Sequence, residues 1–210
     1  EPDDILMNLF PFHLIPHIGF YRTWHFAASI GMSLVYGFTG SPMPGFEHTI
    51  HRSMQQAIED IEKKQVNALS GIGSYIRRLI MKAEEQGRDF SRINKIQALG
   101  EPVPKGMRDD MRKRLQGMGA KDVFISNAFG FTEAQTAFQE CAELGGAHVG
   151  LPELYFLEVV DENGKRKPDG EAGLLTITHL DRRGTCLLRY LVGDIVALTH
   201  EPCPVCGRTD

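Results

Sequence analysis

Val123-Phe124-Ile125-Ser126, followed by Ala128-Phe129-Gly130-Phe131-Thr132-Glu133, is an apolar run that stops at a glycine, a hydroxyl and a carboxylate. A buried strand with such an ending belongs at the carboxyl edge of an open α/β sheet, where ligands lodge in the crevice beyond the strand ends. Gly130 lets the backbone come close to a ligand, Thr132 can hydrogen-bond a phosphate oxygen, and Glu133 can hold a hard cation such as Mg²⁺ through oxygen. The six residues also read as an ordinary turn running into a helix cap, and on their own they leave both readings open.

Upstream, strand-like and helix-like patterns alternate. Residues 4–9 read as an apolar strand, and Pro11 and Pro16 break the next segment into a loop carrying His13 and His17. Phe20, Trp24 and Ala27/Ala28 have helical spacing within Gly19 to Met32, and Ser33 to Tyr36 is a short strand. Ile50, Met54, Ala57/Ile58 and Ile61 mark an amphipathic helix. Val66 to Leu69 reads as a strand. Ser70 is placed to cap a helix whose inner face is Ile72, Ile76, Leu79, Ile80 and Ala83. Ile93 to Leu99 is a further strand, and a helix starting near Pro104 carries Met107, Met111 and Leu115 and ends at Gly117 and Gly119. This alternation predicts βαβ units and a largely parallel sheet with flanking helices.

Near residue 140 the texture changes. Tyr155 to Val160, Gly173 to Thr178, Thr185 to Leu191 and Asp194 to Thr199 read as short strands joined by turns such as Asp161-Glu162-Asn163-Gly164. The expected organisation is an α/β part over residues 1–140 and a small antiparallel or barrel-like β module over 141–210.

The 210 residues are 42% hydrophobic and 24% charged, with a net charge of −4. These are globular values. No basic excess points to nucleic acid, and no run approaches the ~20 apolar residues of a membrane span. The acidic start, Glu1-Pro2-Asp3-Asp4, lacks an initiator Met and a secretory pattern, so the expectation is a piece of a longer, cytoplasmic chain.

The order of motifs is more specific than any one of them: Gly100-Glu101-Pro102, then Phe129-Gly130-Phe131-Thr132-Glu133, then Leu188-Arg189-Tyr190-Leu191-Val192-Gly193-Asp194, then Cys203-Pro204-Val205-Cys206-Gly207-Arg208. This series resembles the adenylate-forming acyl-CoA synthetase superfamily, within it the phenylacetate-CoA ligase branch, and covers the second half of that family's large N-terminal domain. The resemblance implies a partial adenylate-forming core from a ligase that uses ATP, forms an acyl-adenylate and passes the acyl group to coenzyme A. Gly100, Glu101 and Pro102 would lie along the adenine, with Phe129 stacking on it. Gly130 and Phe131 would line the nucleotide, Thr132 would contact the α-phosphate, Glu133 would hold Mg²⁺, and Asp194 would accept both ribose hydroxyls. His17, Ser70 and Tyr75 would wall the acyl pocket. An aromatic acid is favoured, and a homodimer is possible. Phe129 stands where the family usually has Tyr, and Leu191-Val192 where it usually has Arg-Thr. The family's phosphate loop is expected upstream of residue 1 and its lysine-bearing lid domain after residue 210, so the fragment alone is expected to be inactive.

Cys203-Pro-Val-Cys206-Gly207 has the form of a zinc knuckle, and two thiolates need two more ligands for a tetrahedral site. Cys141, His148 and Cys186 are the candidates. Cys186 sits in the apolar run Thr185 to Leu188 and reads as core, so the expected set is Cys141, His148, Cys203 and Cys206 around one structural Zn²⁺. A dithiol redox pair and idle thiols are the competing readings. Two further function classes stay open: a nucleotide-binding module without catalysis, and a zinc-stabilised interaction domain.

Overall fold

A computed structural model describes residues 3–12, 17–40, 45, 50–143 and 145–209. The chain forms two compact units, Glu1–Phe129 and Gly130–Asp210. The first contains β1 (Ile5–Asn8), α1 (Ile18–Ser29), β2 (Ser33–Tyr36), α2 (Met54–Lys63), β3 (Ala68–Gly71), α3 (Gly73–Glu85), β4 (Lys95–Leu99), α4 (Lys105–Gly117) and β5 (Phe124–Phe129). Its strands run parallel in the order β2-β1-β3-β4-β5. The second contains β6 (Phe138–Gln139), a single turn of 3₁₀ helix at Pro152–Leu154, and an antiparallel sheet of β7 (Tyr155–Val160), β8 (Gly173–His179) and β9 (Tyr190–Val196). The expected class is therefore the observed one: α/β, with a parallel sheet, flanking helices and a small antiparallel sheet. That sheet is open among the described residues.

Alternation along each strand sorts the side chains of the first unit into two layers. Met7, Leu69, Ile96 and Ile125 face one side and are closed by Ile58 and Ile61 of α2, Ile76, Leu79 and Ile80 of α3, and Met111 and Leu115 of α4. Leu6 and Ala68 face the other side and meet Ala27 of α1. Ion pairs tie α3 to α4: Arg77 meets Asp110 at 2.7 Å, and Arg114 bridges Asp110 at 3.0 Å and Glu84. Helix α2 opens on a capping box, in which Ser53 accepts from the Gln56 N–H and the Gln56 side chain accepts from the Ser53 N–H.

On the α1 side, the strands carry a polar stripe in register. Tyr36 pairs with Asn8, Asn8 with Ser70, Ser70 with Gln97, and Gln97 with Ser126. Asn8 is fully buried; its Nδ2 donates to the Phe20 carbonyl at 2.9 Å and its Oδ1 accepts from the Phe10 N–H at 3.1 Å. Ser70 is also buried, 3.3 Å from both the Thr23 hydroxyl and Gln97 Oε1. Burying such groups is tolerated because each is hydrogen-bonded.

Several expectations are corrected. Ser70 lies inside β3 and caps nothing; the N-cap of α3 is Ile72, without a side-chain hydrogen bond. The inner face of α1 is Phe20, Thr23 and Ala27, and Trp24 points outward, because the Thr23 hydroxyl is drawn to Ser70 and sets the helix rotation. Ile50 precedes α2 and is exposed. The two strands expected at Thr185–Leu191 and Asp194–Thr199 are one strand, β9. It begins after Arg189, whose φ of 46° breaks the extended run, and carries Gly193 at φ 102° beside an irregular step in the ladder. Cys186 is exposed rather than core, its thiol 2.9 Å from the Arg182 carbonyl. The compact units part at Gly130, ahead of the texture change at residue 140, since the turn after Gly130 is hydrogen-bonded to β7 and β8.

Candidate functional site

In the first unit, β4 is followed by Gly100 at φ 91°, a left-handed conformation that suits glycine. The Gly100-Glu101-Pro102 segment that follows is held by one side chain. Asn127 of β5 donates from Nδ2 to the carbonyls of Ala98 (3.1 Å) and Glu101 (3.2 Å), and its Oδ1 accepts from the Val103 N–H at 3.0 Å. The Glu101 carboxylate accepts from the Ser74 N–H. It thereby supplies α3 with the anionic cap its own N-cap residue lacks. Neither Asn127 nor this role of Glu101 was foreseen; an Asn inside a strand that is mostly apolar was the available signal.

The residues expected to wall an acyl pocket are built into the first unit in different ways. His17 caps α1, its Nδ1 accepting from the Gly19 N–H at 3.0 Å, and stacks on Phe10 at 5.3 Å. Burial holds its pKa below the ordinary value. Tyr75 packs against the main core, and burial pushes its phenol pKa up, outweighing the charge of Arg78. Ser70 belongs to the polar stripe. His13 and Pro16 lie outside the described residues. Beyond the carboxyl ends of β1 and β2 sits an aromatic nest: Phe12 and Phe20 lie 4.8 Å apart, Phe20 and Tyr36 5.8 Å, and Tyr36 and Phe38 5.3 Å.

In the second unit, Gly130 allows a close pass: a Cβ there would meet the Thr136 carbonyl oxygen at 2.9 Å. Phe131 packs on Phe138. The turn Thr132–Gln135 is clamped through its backbone. The Gln135 N–H donates to the Thr132 carbonyl at 3.1 Å. The Glu133 carbonyl lies 3.0 Å from His179 Nε2. The Ala134 carbonyl accepts from the Tyr155 hydroxyl and, at 3.1 Å, from Arg182. Thr132 is left exposed and Glu133 half-buried. The Tyr190 hydroxyl hydrogen-bonds the Glu133 carboxylate, and that bond, with the negative charge, holds the Tyr190 pKa above its ordinary value. Asp194 is half-exposed four residues further along β9, at most about 14 Å of strand from Tyr190. A hydroxyl and two carboxylates, with Tyr190 as donor, thus belong to one turn and one strand.

The same unit gathers Cys141, His148, Cys203 and Cys206, whose ligand atoms all lie within 4.8 Å of one another. His148 is set by a two-residue bridge to Gln139, with reciprocal backbone hydrogen bonds of 2.9 and 3.2 Å. Cys203 and Cys206 are set by a tight turn in which the Cys203 N–H donates to the Arg208 carbonyl at 2.7 Å and the Gly207 N–H to the Cys203 carbonyl at 2.8 Å. Backbone N–H groups of Cys206 and Val205 point at the Cys203 sulfur and bring its pKa down to about 6.

A mostly parallel sheet with flanking helices, together with a small antiparallel sheet, matches the N-terminal fold of adenylate-forming enzymes. The chain belongs to the AMP-binding enzyme family, whose model matches residues 19–180. It is similar to the phenylacetate-coenzyme A ligase of Thermus thermophilus, 39% identical over 105 residues that make up 47% of this chain and 22% of that protein. Among solved structures, 2-hydroxyisobutyryl-CoA ligase in its open conformation with 2-HIB-AMP and CoA shares the fold, with a TM-score of 0.77 at 22% identity over 100% of this chain and 43% of that one. A long-chain-fatty-acid-CoA ligase from Archaeoglobus fulgidus gives a TM-score of 0.63 at 15% identity over 86% of this chain and 35% of that one. The chain therefore spans about a fifth of the curated relative and about two fifths of the first of these solved ligases. No helix among the described residues is long and apolar enough to cross a membrane.

Proposed function

We propose that the protein of which these residues form part activates a carboxylic acid with ATP and transfers the acyl group to coenzyme A. In the first half-reaction a carboxylate oxygen attacks the α-phosphorus and pyrophosphate leaves; in the second the CoA thiol displaces AMP. The observation that carries this reading is the Thr132–Glu133 turn, clamped by four backbone contacts and joined through Tyr190 to the strand that bears Asp194. A turn held by its carbonyls keeps its side chains available to a ligand, and preorganised polar groups of this kind stabilise charge that develops during reaction. Thr132 donates to the α-phosphate, and Asp194 accepts from the two ribose hydroxyls, a bidentate role suited to a cis diol. The Glu133 carboxylate is a hard oxygen donor that fits Mg²⁺, and Mg²⁺ when bound neutralises phosphate charge.

The aromatic nest of Phe12, Phe20, Tyr36 and Phe38 favours an aromatic acid over a small aliphatic one, since a ring-lined site gains by stacking and apolar burial. His17 borders the nest through its own stacking on Phe10 and the start of α1.

Calorimetry with AMP on the full 210-residue chain tests the nucleotide reading. Weak binding that falls at least about tenfold in Asp194→Ala and in Thr132→Val supports it. No binding, or binding indifferent to both substitutions, overturns it. Acid preference is tested on the whole protein by pyrophosphate release with phenylacetate and 2-hydroxyisobutyrate; a faster reaction with the aliphatic acid removes the aromatic assignment.

A further inference from the structure

We propose that Cys141, His148, Cys203 and Cys206 bind one Zn²⁺ in a closed, structural site that fastens the loop after β6 to the last turn of the chain. Tetrahedral zinc, with bonds of about 2.3 Å to sulfur and about 2.0–2.1 Å to nitrogen, puts its ligands about 3.8 Å apart for two sulfurs and about 3.6 Å for sulfur and nitrogen. Here Cys141 Sγ and Cys203 Sγ are 3.6 Å apart, and His148 Nε2 is 3.3 Å from both Cys141 Sγ and Cys206 Sγ. Four soft or borderline donors at that spacing match zinc and no hard cation. The sulfur separation is far above the ~2.05 Å of a disulfide.

The elements around the cluster are shaped to present the ligands. The Gln139–His148 bridge closes a loop that brings Cys141 beside His148, although seven positions separate them in sequence. The Cys203–Arg208 turn aims two sulfurs at the same point, and Arg208 donates to the Val149 carbonyl at 3.4 Å, tying the turn to the opposite loop. A metal there joins positions 62 residues apart, Cys141 and Cys203, and a link that closes so long a loop removes much of the freedom of the unfolded chain. Four protein ligands leave no position for water, so the ion is a structural part and performs no chemistry. This proposal does not depend on the nucleotide reading.

The test is metal analysis and native mass spectrometry of the full chain, purified without chelator and without an immobilised-metal column. One zinc per chain is expected, falling below about a tenth in Cys203→Ser and His148→Ala, while Cys186→Ser retains it. If those variants fold poorly, the wild-type chain stripped of metal and given Co²⁺ supplies the second readout: the ligand-field and thiolate charge-transfer bands of tetrahedral cobalt. Less than about half an equivalent of zinc together with no such cobalt spectrum overturns the proposal, as does a Cys141–Cys203 disulfide in protein kept under reducing conditions. Zinc retained in full by both variants overturns the ligand set.

Discussion

In the first unit, Ile58, Leu69, Leu79, Ile80 and Ile96 are sealed from solvent beneath three helices. In the second, Leu188 is 78% exposed, Ile195 73% and Leu191 51%, and the buried apolar residues among those described are few: Ala134, Phe138, Tyr155, Val159, Val160, Leu175 and Ile177. The first unit is ordered by a continuous interior. The second is ordered by polar clamps at its edges, namely His179, Tyr155 and Arg182 on the Thr-Glu turn and the cysteine-histidine cluster at the chain end. A small unit that cannot bury much apolar surface commonly relies on metals or cross-links. Both units hold their candidate segments by hydrogen bonds, Asn127 on Gly100–Pro102 in the first and His179, Tyr155 and Arg182 on the Thr-Glu turn in the second, but only the first sets them on a deeply buried sheet.

The largest expected contrast comes from the same deletion made in both units. Ile80→Ala should cost about 2–5 kcal/mol in urea unfolding, whereas Ile195→Ala on β9 should stay within about 0.5 kcal/mol. A costly Ile195→Ala would mean that β9 is packed after all and that the contrast is false. Next, Asn127→Ala removes the hydrogen bonds to Ala98, Glu101 and Val103 and leaves backbone groups unmet, a loss of about 1–3 kcal/mol. It should also speed hydrogen exchange at Val103, whose N–H the side chain accepts; unchanged exchange would show that the Gly100–Pro102 segment holds itself.

A third test uses acid. Burial pushes the Asp4 carboxyl up, but hydrogen bonds from Lys95 and Asn67 and the Lys95 charge outweigh it and leave its pKa at about 2, against an ordinary 3.8. Because the folded value is the lower one, the stabilisation is present above pH about 4 and is lost as pH falls from about 4 to about 2. Asp4→Asn should therefore flatten the acid arm of the stability curve by about 1 kcal/mol, the partly exposed Lys95 limiting the effect. An unchanged acid arm would place the sensitivity elsewhere. The smallest loss is expected of Arg182→Ala, about 0.5 kcal/mol, since the Tyr155 hydroxyl still serves the Ala134 carbonyl. A much larger loss, read as faster exchange across the Thr132–Gln135 turn, would make Arg182 the principal clamp of the second unit.

Much of the first unit was legible because its strands and helices repeat with the periods their burial demands, and α3 and α4 could be drawn within a residue or two. Where the reading failed, a polar group had been interpreted locally. Ser70 looked like a cap because it precedes a helix, yet its partners are Thr23 and Gln97, 47 and 27 positions away. Trp24 shares a helical spacing with Phe20 and Ala27, yet it lies exposed. In the second unit, Gly193 and Arg189 supply irregular backbone that no hydropathy pattern announces, so two strands were read where one exists. The proposed site divides in the same way. The four residues of the proposed metal site were grouped from short spacings, and their candidate ligand atoms lie within 4.8 Å of one another. The Asn127 brace, the Glu101 cap and the Tyr190 contact were not, because each joins residues distant in the chain.

The polar stripe through Asn8, Ser70, Gln97 and Ser126 has a consequence for how the parallel sheet assembles. Apolar strands of four or five residues are nearly interchangeable when judged by greasiness, and many offset alignments would bury them equally well. A row of polar teeth at one register position across four neighbouring strands makes the offsets unequal. Sliding one strand by a residue drives its tooth into the opposite layer, so the stripe works as a key that favours one alignment over its near copies.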